Sequence, residues 1–187
     1  RSHNLLVAQI RHAGTDEDSW IYTIAPYLEG VDMMRICPED RKGDERLDHH
    51  GTSYVINGYI SLPLLDSRRN INDLDATTRT ITVFEGSDLR DPKSFYNEHC
   101  HPNAWFSDLN IERGWVWLTM LEQIQPDRHF SSHSDMHEKG MSNYLYADGH
   151  VETISALTVQ GWANQGYNFA KPDAANPAEF ELEANRR

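Results

Sequence analysis

Residues 143–154 read NYLYADGHVETI, an Asp-Gly pair set between two runs of β-formers. Asp and Gly both tolerate positive φ, so Asp148-Gly149 carries the signature of a two-residue type I′ hairpin. That turn predicts Tyr146 opposite Val151 and Tyr144 opposite Thr153. Residues 78–84 (TRTITVF) alternate strictly and read as a second strand region. Residues 52–60 have β character, with Gly58 as a bulge or bend. The strands and the hairpin predict an α+β fold with an antiparallel sheet.

Helical spacing appears twice. Trp20, Ile21, Ile24, Tyr27 and Leu28 share a face, and Pro26 keeps any helix there short or late. Trp117, Met120, Leu121 and Ile124 follow an i, i+3, i+4, i+7 pattern ended by Pro126, which predicts a helix over 114–124; a strand from Trp115 to Thr119 is the alternative. Residues 5–10 (LLVAQI) read as a helix end or a first strand. Residues 41–51 read as an exposed loop, 66–76 as a polar connector, and 160–187 as a mostly irregular tail. The long excursion over 85–110 has to be held by its aromatics, Phe95, Tyr96, Trp105 and Phe106. With 187 residues, the chain fits one domain over 1–187.

The charge balance narrows function. Asp plus Glu number 29 against 17 Lys plus Arg, a net charge of −12. Nucleic acid and anionic membrane surfaces are disfavoured as partners. No run of 18 apolar residues occurs. The chain opens on Arg1-Ser2-His3-Asn4 without Met, which reads as a trimmed protein whose leader or anchor has been removed. Two cysteines, Cys37 and Cys100, are either one disulfide or two separate buried thiols.

Several groups of residues could carry chemistry. His129, His133, Asp135 and His137 lie close together, and Asp148 and His150 follow soon after. On a strand His133, Asp135 and His137 share a face; on a helix His129, His133 and His137 do. Either arrangement could supply ligands to zinc or another divalent ion, against the plainer reading of a solvated loop with Ser131, Ser132 and Ser134. Asp66, Asn70, Asn72, Asp73 and Asp75 offer hard oxygens for calcium without EF-hand spacing, again against a solvated loop. His49-His50 reads as an exposed pair. In His99-Cys100-His101, neighbours in sequence point apart in extended chain, so adjacency does not make a dyad. Trp105, Phe106, Trp115 and Trp117 are either core or a sugar- or partner-binding surface. No HExxH, GxSxG, P-loop or GxGxxG occurs, so no ordered catalytic pattern is visible and the chain is expected not to be an enzyme.

Residues 140–151 (GMSNYLYADGHV) resemble the C-terminal motif of the prepilin-type, processing-associated H-X9-DG proteins, a pseudopilin-like family. Its His, Asp and Gly are matched by His137, Asp148 and Gly149, with ten residues between His137 and Asp148 where the family has nine. Other landmarks agree in order: residues 20–28 (WIYTIAPYL), Cys37-Pro38-Glu39-Asp40 for a "CPSD" turn, residues 53–59 (SYVINGY), a strand ending in Glu85, and residues 168–172 (NFAKP). The resemblance implies a pseudopilin-like head with an N-terminal helical segment packed on the sheet. It implies a structural subunit of a type II secretion or type IV pilus-like assembly, with other pilin-like subunits as partners. Such a protein is exported to the periplasmic or extracellular face and meets the membrane only through an N-terminal helix. The alternative is an extracellular metal-dependent enzyme, or a metal- or sugar-binding module, built on the His/Asp cluster. Outside the cytosol disulfides persist, so the resemblance also predicts a Cys37–Cys100 bond.

Overall fold

The computed structural model describes residues 20–27, 32–93, 98–129, 139–172 and 174. Its elements run α1 (Trp20–Thr23), α2 (Gly43–Asp48), β1 (Tyr54–Asn57), α3 (Gly58–Ser61), β2 (Ile81–Glu85), β3 (His99–Cys100), α4 (Pro102–Trp105), α5 (Asp108–Arg113), α6 (Val116–Leu121), β4 (Met141–Tyr146), β5 (Val151–Ser155) and α7 (Ala156–Asn164). Among the described residues the sheet has five strands in the order β3-β1-β2-β4-β5. The fold is α+β. The β1–β2, β2–β4 and β4–β5 pairs are antiparallel, while β3 joins β1 in parallel. The sheet is therefore mostly antiparallel, as expected, with one parallel pair at its β3 edge.

Alternation along the strands makes two apolar layers. Val55, Phe84, Tyr144 and Tyr146 enter the larger core with Trp105, Trp117, Met120, Val159 and Phe169. Phe84 sits at its centre, edge-on to Trp105, Tyr144 and Phe169. On the opposite face Trp20 and Ile21 of α1 pack on Ile56 and Ile60, flanked by Tyr54 and Val83. The early helical segment thus covers one sheet face, and Pro26 confines it to one turn followed by a 3-10 turn.

The hairpin forms with a different turn. Leu145 pairs Val151, Tyr144 pairs Glu152 and Asn143 pairs Thr153. This register leaves Ala147, Asp148 and Gly149 as a three-residue loop. Type I′ needs positive φ at both central residues, whereas here only Gly149 has it, at 92°. Asp148 keeps an ordinary backbone and the glycine forms the bulge, so the register slips by one from that expected.

Other departures have local causes. The strand expected over 52–60 stops at Asn57, whose side-chain oxygen accepts from Tyr59 N (3.0 Å) and starts α3. Residues 43–48, expected as loop, form α2, with Asp44 and Glu45 in the first turn and Arg46 buried. The tail begins as helix: Ser155 accepts from Thr158 N (3.1 Å) and caps α7, which runs to Asn164. The helix expected over 114–124 is present as α6, preceded by Gly114 at a φ of 66° that ends α5. Residues 5–10, with Phe95 and Tyr96, lie outside the described residues.

Candidate functional site

Glu85 ends β2 with a side chain that water scarcely reaches (3% exposed). A buried carboxylate has to find partners, and three separate segments bring them. Cys37 sits in a turn closed by Asp40 N donating to Cys37 O (2.9 Å), and its own amide donates to Ser53 Oγ (2.9 Å) just before β1. His129 lies opposite Met141 in an isolated bridge, His129 N to Met141 O (2.8 Å) and Met141 N to His129 O (3.0 Å). Gly140 makes that approach possible: its φ is 111°, and a Cβ there would fall 2.9 Å from His129 O. Ser142 and Asn143 open β4.

The polar atoms converge closely. Cys37 Sγ lies 3.3 Å from Glu85 Oε1 and 3.9 Å from His129 Nε2, and Nε2 lies 2.8 Å from Oε1. The second carboxylate oxygen, Oε2, accepts from Ser142 Oγ and from Asn143 N (3.1 Å). Asn143 Nδ2 also reaches His129 Nε2 at 3.0 Å, while Asn143 Oδ1 accepts from Thr153 Oγ1 (2.8 Å). A single ring nitrogen can donate to Glu85 or accept from Asn143, not both. Burial, and then the charge of Glu85, push the Cys37 thiol up to about 12. In a nucleophile–base–carboxylate relay the carboxylate orients the base through its other ring nitrogen. Here Cys37 and Glu85 meet the same nitrogen, so the arrangement is a cluster of donor atoms and not such a relay.

A buried ion network holds the Cys37 turn. Asp40 accepts from Arg46 Nε (2.8 Å) and Lys42 N (2.9 Å), and Arg128 NH1 stands 3.6 Å from it. Arg128 also pairs with Asp88 (2.5 Å) and donates to Gly86 O. Burial pushes the Asp40 carboxyl up, but the Ser53 hydroxyl, Arg128, Arg46 and the Lys42 amide outweigh it and hold it below the usual range.

The expected site residues are dispersed. Of the histidine cluster, His129 belongs to the site above, while His133, Asp135 and His137 lie outside the described residues. Asp148 and His150 do not join His129. They pair with each other in the hairpin loop (2.5 Å), and His150 stacks on Tyr146 at 4.3 Å. That hydrogen bond holds Asp148 below and His150 above their ordinary values. Gly149 serves the turn. The Cys37–Cys100 disulfide is not formed: both thiols are free and buried. Cys37 faces Glu85, whereas Cys100 donates to Ile56 O (3.6 Å) within the β3–β1 pairing, so each thiol is committed to a different polar partner. The Asp66 loop gathers no carboxylate cluster; Asp66 pairs with Lys171 (2.9 Å) and Asn70 caps a 3-10 turn. His49 and His50 are exposed. Trp105 and Trp117 are core, and only Trp115 stays substantially exposed (44%), under Arg113.

Among the described residues, the group of His, Cys, Asp or Glu donors close enough to hold one metal ion is Cys37, Glu85 and His129. Of these three the sequence offers only His129 as a metal ligand; it places Cys37 in a disulfide and Glu85 at the end of a strand. The available signal was a carboxylate that directly follows Val83 and Phe84 at the end of a strand, which burial makes costly unless it is held. Beside the site, a groove of about 450 Å³ runs over the second sheet face, lined by Trp20, Ile24, Tyr54, Val83, Glu85 and Asn143 among others. No helix among the described residues is long and apolar enough to cross a membrane. No family model, curated protein or solved structure matches this chain.

Proposed function

We propose that this chain is the head of a pseudopilin-like structural subunit, exported and assembled with other pilin-like subunits of a type II secretion or type IV pilus-like machine. One observation supports the reading most. Among the described residues, segments that carry the family resemblance are hydrogen-bonded or packed on one another. Cys37 N meets Ser53, and Cys37 Sγ meets Glu85. Glu85 in turn accepts from Ser142 and Asn143 of the hairpin segment. Asn57 Nδ2 donates to Ala170 O (2.7 Å) in the tail, and Trp20 and Ile21 pack on Ile56. Landmarks bound to one another in this way suit a scaffold that maintains a shape. Its acidic surface also suits contact with neighbouring proteins better than with nucleic acid.

The test is to express the gene from its native start with and without a prepilin peptidase, then sequence the mature N-terminus and fractionate the cells. The reading expects cleavage ahead of an apolar helix of about 20 residues and retention in the membrane fraction. A native N-terminus without that helix, with the protein recovered in the cytosol, overturns it.

A further inference from the structure

We propose that Cys37 Sγ, Glu85 Oε1 and His129 Nε2 bind one zinc ion, with a water molecule in the fourth position on the groove side. This stands independently of the subunit reading above.

The geometry carries the proposal. A tetrahedral zinc bound at ordinary lengths sets its ligand atoms about 3.6 Å apart for S···N, about 3.5 Å for S···O and about 3.3 Å for N···O. The corresponding separations here are 3.9, 3.3 and 2.8 Å. Each edge is within about 0.5 Å of the tetrahedral face, so small side-chain shifts admit the ion. The three donors come from segments far apart in sequence. Each is fixed by backbone contacts rather than hung on a mobile loop: Cys37 by its turn, Glu85 by the end of β2, and His129 by its bridge to Met141.

The donor chemistry selects the metal. Thiolate, imidazole and carboxylate together suit zinc, whereas calcium and magnesium take oxygen ligands. A thiolate and a carboxylate balance the two charges of the ion, so the loaded site is neutral, as a position with Cys37 2% and Glu85 3% exposed requires. On loading, the Sγ–Zn bond forms and the Sγ proton leaves to solvent. The supporting contacts also suit ligation. Ser142 Oγ and Asn143 N hold Oε2 and so present Oε1 alone. The ion would also resolve the crowding at Nε2, whose single lone pair then has one partner. Glu85 and Asn143 line the groove as well, which provides the entry path.

Cobalt(II) is the probe, because a thiolate-to-cobalt charge-transfer band reports Cys37 directly and surface histidines cannot produce it. The full chain is stripped with chelator and titrated with Co²⁺, then with Zn²⁺. One equivalent of Co²⁺ is expected to raise the band, and Zn²⁺ to displace it. Cys37→Ser should abolish the band. Glu85→Gln and His129→Ala should weaken binding by roughly 100-fold or more, and Ser142→Ala by about 10- to 100-fold. His133→Ala and His137→Ala should leave it unchanged. Circular dichroism checks each variant; Glu85→Gln, being isosteric, keeps the test decisive if Cys37→Ser fails to fold. The proposal is overturned if the wild-type chain shows no charge-transfer band. It is equally overturned if binding survives His129→Ala but is lost in His133→Ala or His137→Ala.

Discussion

Replacing Asp40 by Ala should be among the most damaging single changes in this protein. The carboxylate is fully enclosed and stands 2.8 Å from Arg46 Nε and 3.6 Å from Arg128 NH1, both guanidiniums being almost inaccessible. At an effective dielectric near 20 these contacts amount to about 6 and about 5 kcal/mol of attraction. Desolvation of the three ions, several kcal/mol each, cancels most of it. The whole network is therefore nearly neutral, but removing only this anion leaves the buried Arg46 without a carboxylate and Arg128 with Asp88 alone. That costs about 3–5 kcal/mol. In a protein of this size the loss corresponds to a fall in Tm of about 6–20 °C. Asp40→Asn retains an acceptor for Arg46 and Lys42 N and should lie between wild type and Asp40→Ala.

Urea denaturation at pH 7 measures the difference. The sign with pH follows from the lowered Asp40 value. A carboxyl whose folded pKa is depressed stabilises above its unfolded value, near 3.9, and that contribution is lost as pH falls through the folded value. The gap between wild type and Asp40→Ala should accordingly be full at pH 7 and shrink below about pH 4. A penalty under about 1 kcal/mol at pH 7 with an unchanged m-value would refute the account, as would a penalty that ignores pH.

Tyr144 Oη is buried and has no hydrogen-bond partner among the described residues, so Tyr144→Phe should be neutral or stabilise by up to about 2 kcal/mol in the same urea assay. Gly140→Ala meets both a φ of 111° and a 2.9 Å approach to His129 O; it should destabilise by about 1–3 kcal/mol and speed amide exchange at His129 and Met141. Burial pushes both thiols up to about 12, so a disulfide-exchange reagent should leave the native protein unmodified at pH 8 and titrate two thiols after denaturation without reductant; none would restore the crosslink.

What the sequence made legible was periodic. The Asp-Gly hairpin, the strand before Glu85 and the helix around Trp117 all announce themselves within a dozen residues, because pleat and helix repeat at short range. The elements that were missed depend on single side chains answering distant groups. The turn containing Asp40 and the helix α2 rely on Arg46, whose partners include Ser87 O across the fold (3.1 Å). The strand after Tyr54 ends where Asn57 reaches Ile81 O and Ala170 O. No local pattern contains either contact. The disulfide expectation failed for a related reason: an extracellular location makes a crosslink possible, but pairing needs the two sulfurs adjacent, and each thiol instead has its own buried acceptor.

The register of the hairpin connects these two kinds of information. In the two-residue turn read from Asp148-Gly149, Thr153 would lie opposite Tyr144, on the face that enters the larger core. The three-residue loop places Thr153 opposite Asn143 instead. Only there can its hydroxyl donate to Asn143 Oδ1 (2.8 Å), which fixes the amide that reaches His129 Nε2. A slip of one residue exchanges the faces of a strand, so one residue of turn length decides whether the Glu85 cluster is braced from β5. The conformation of Gly149, on the protein surface, is thus coupled through two side chains to the donor atoms of the buried site.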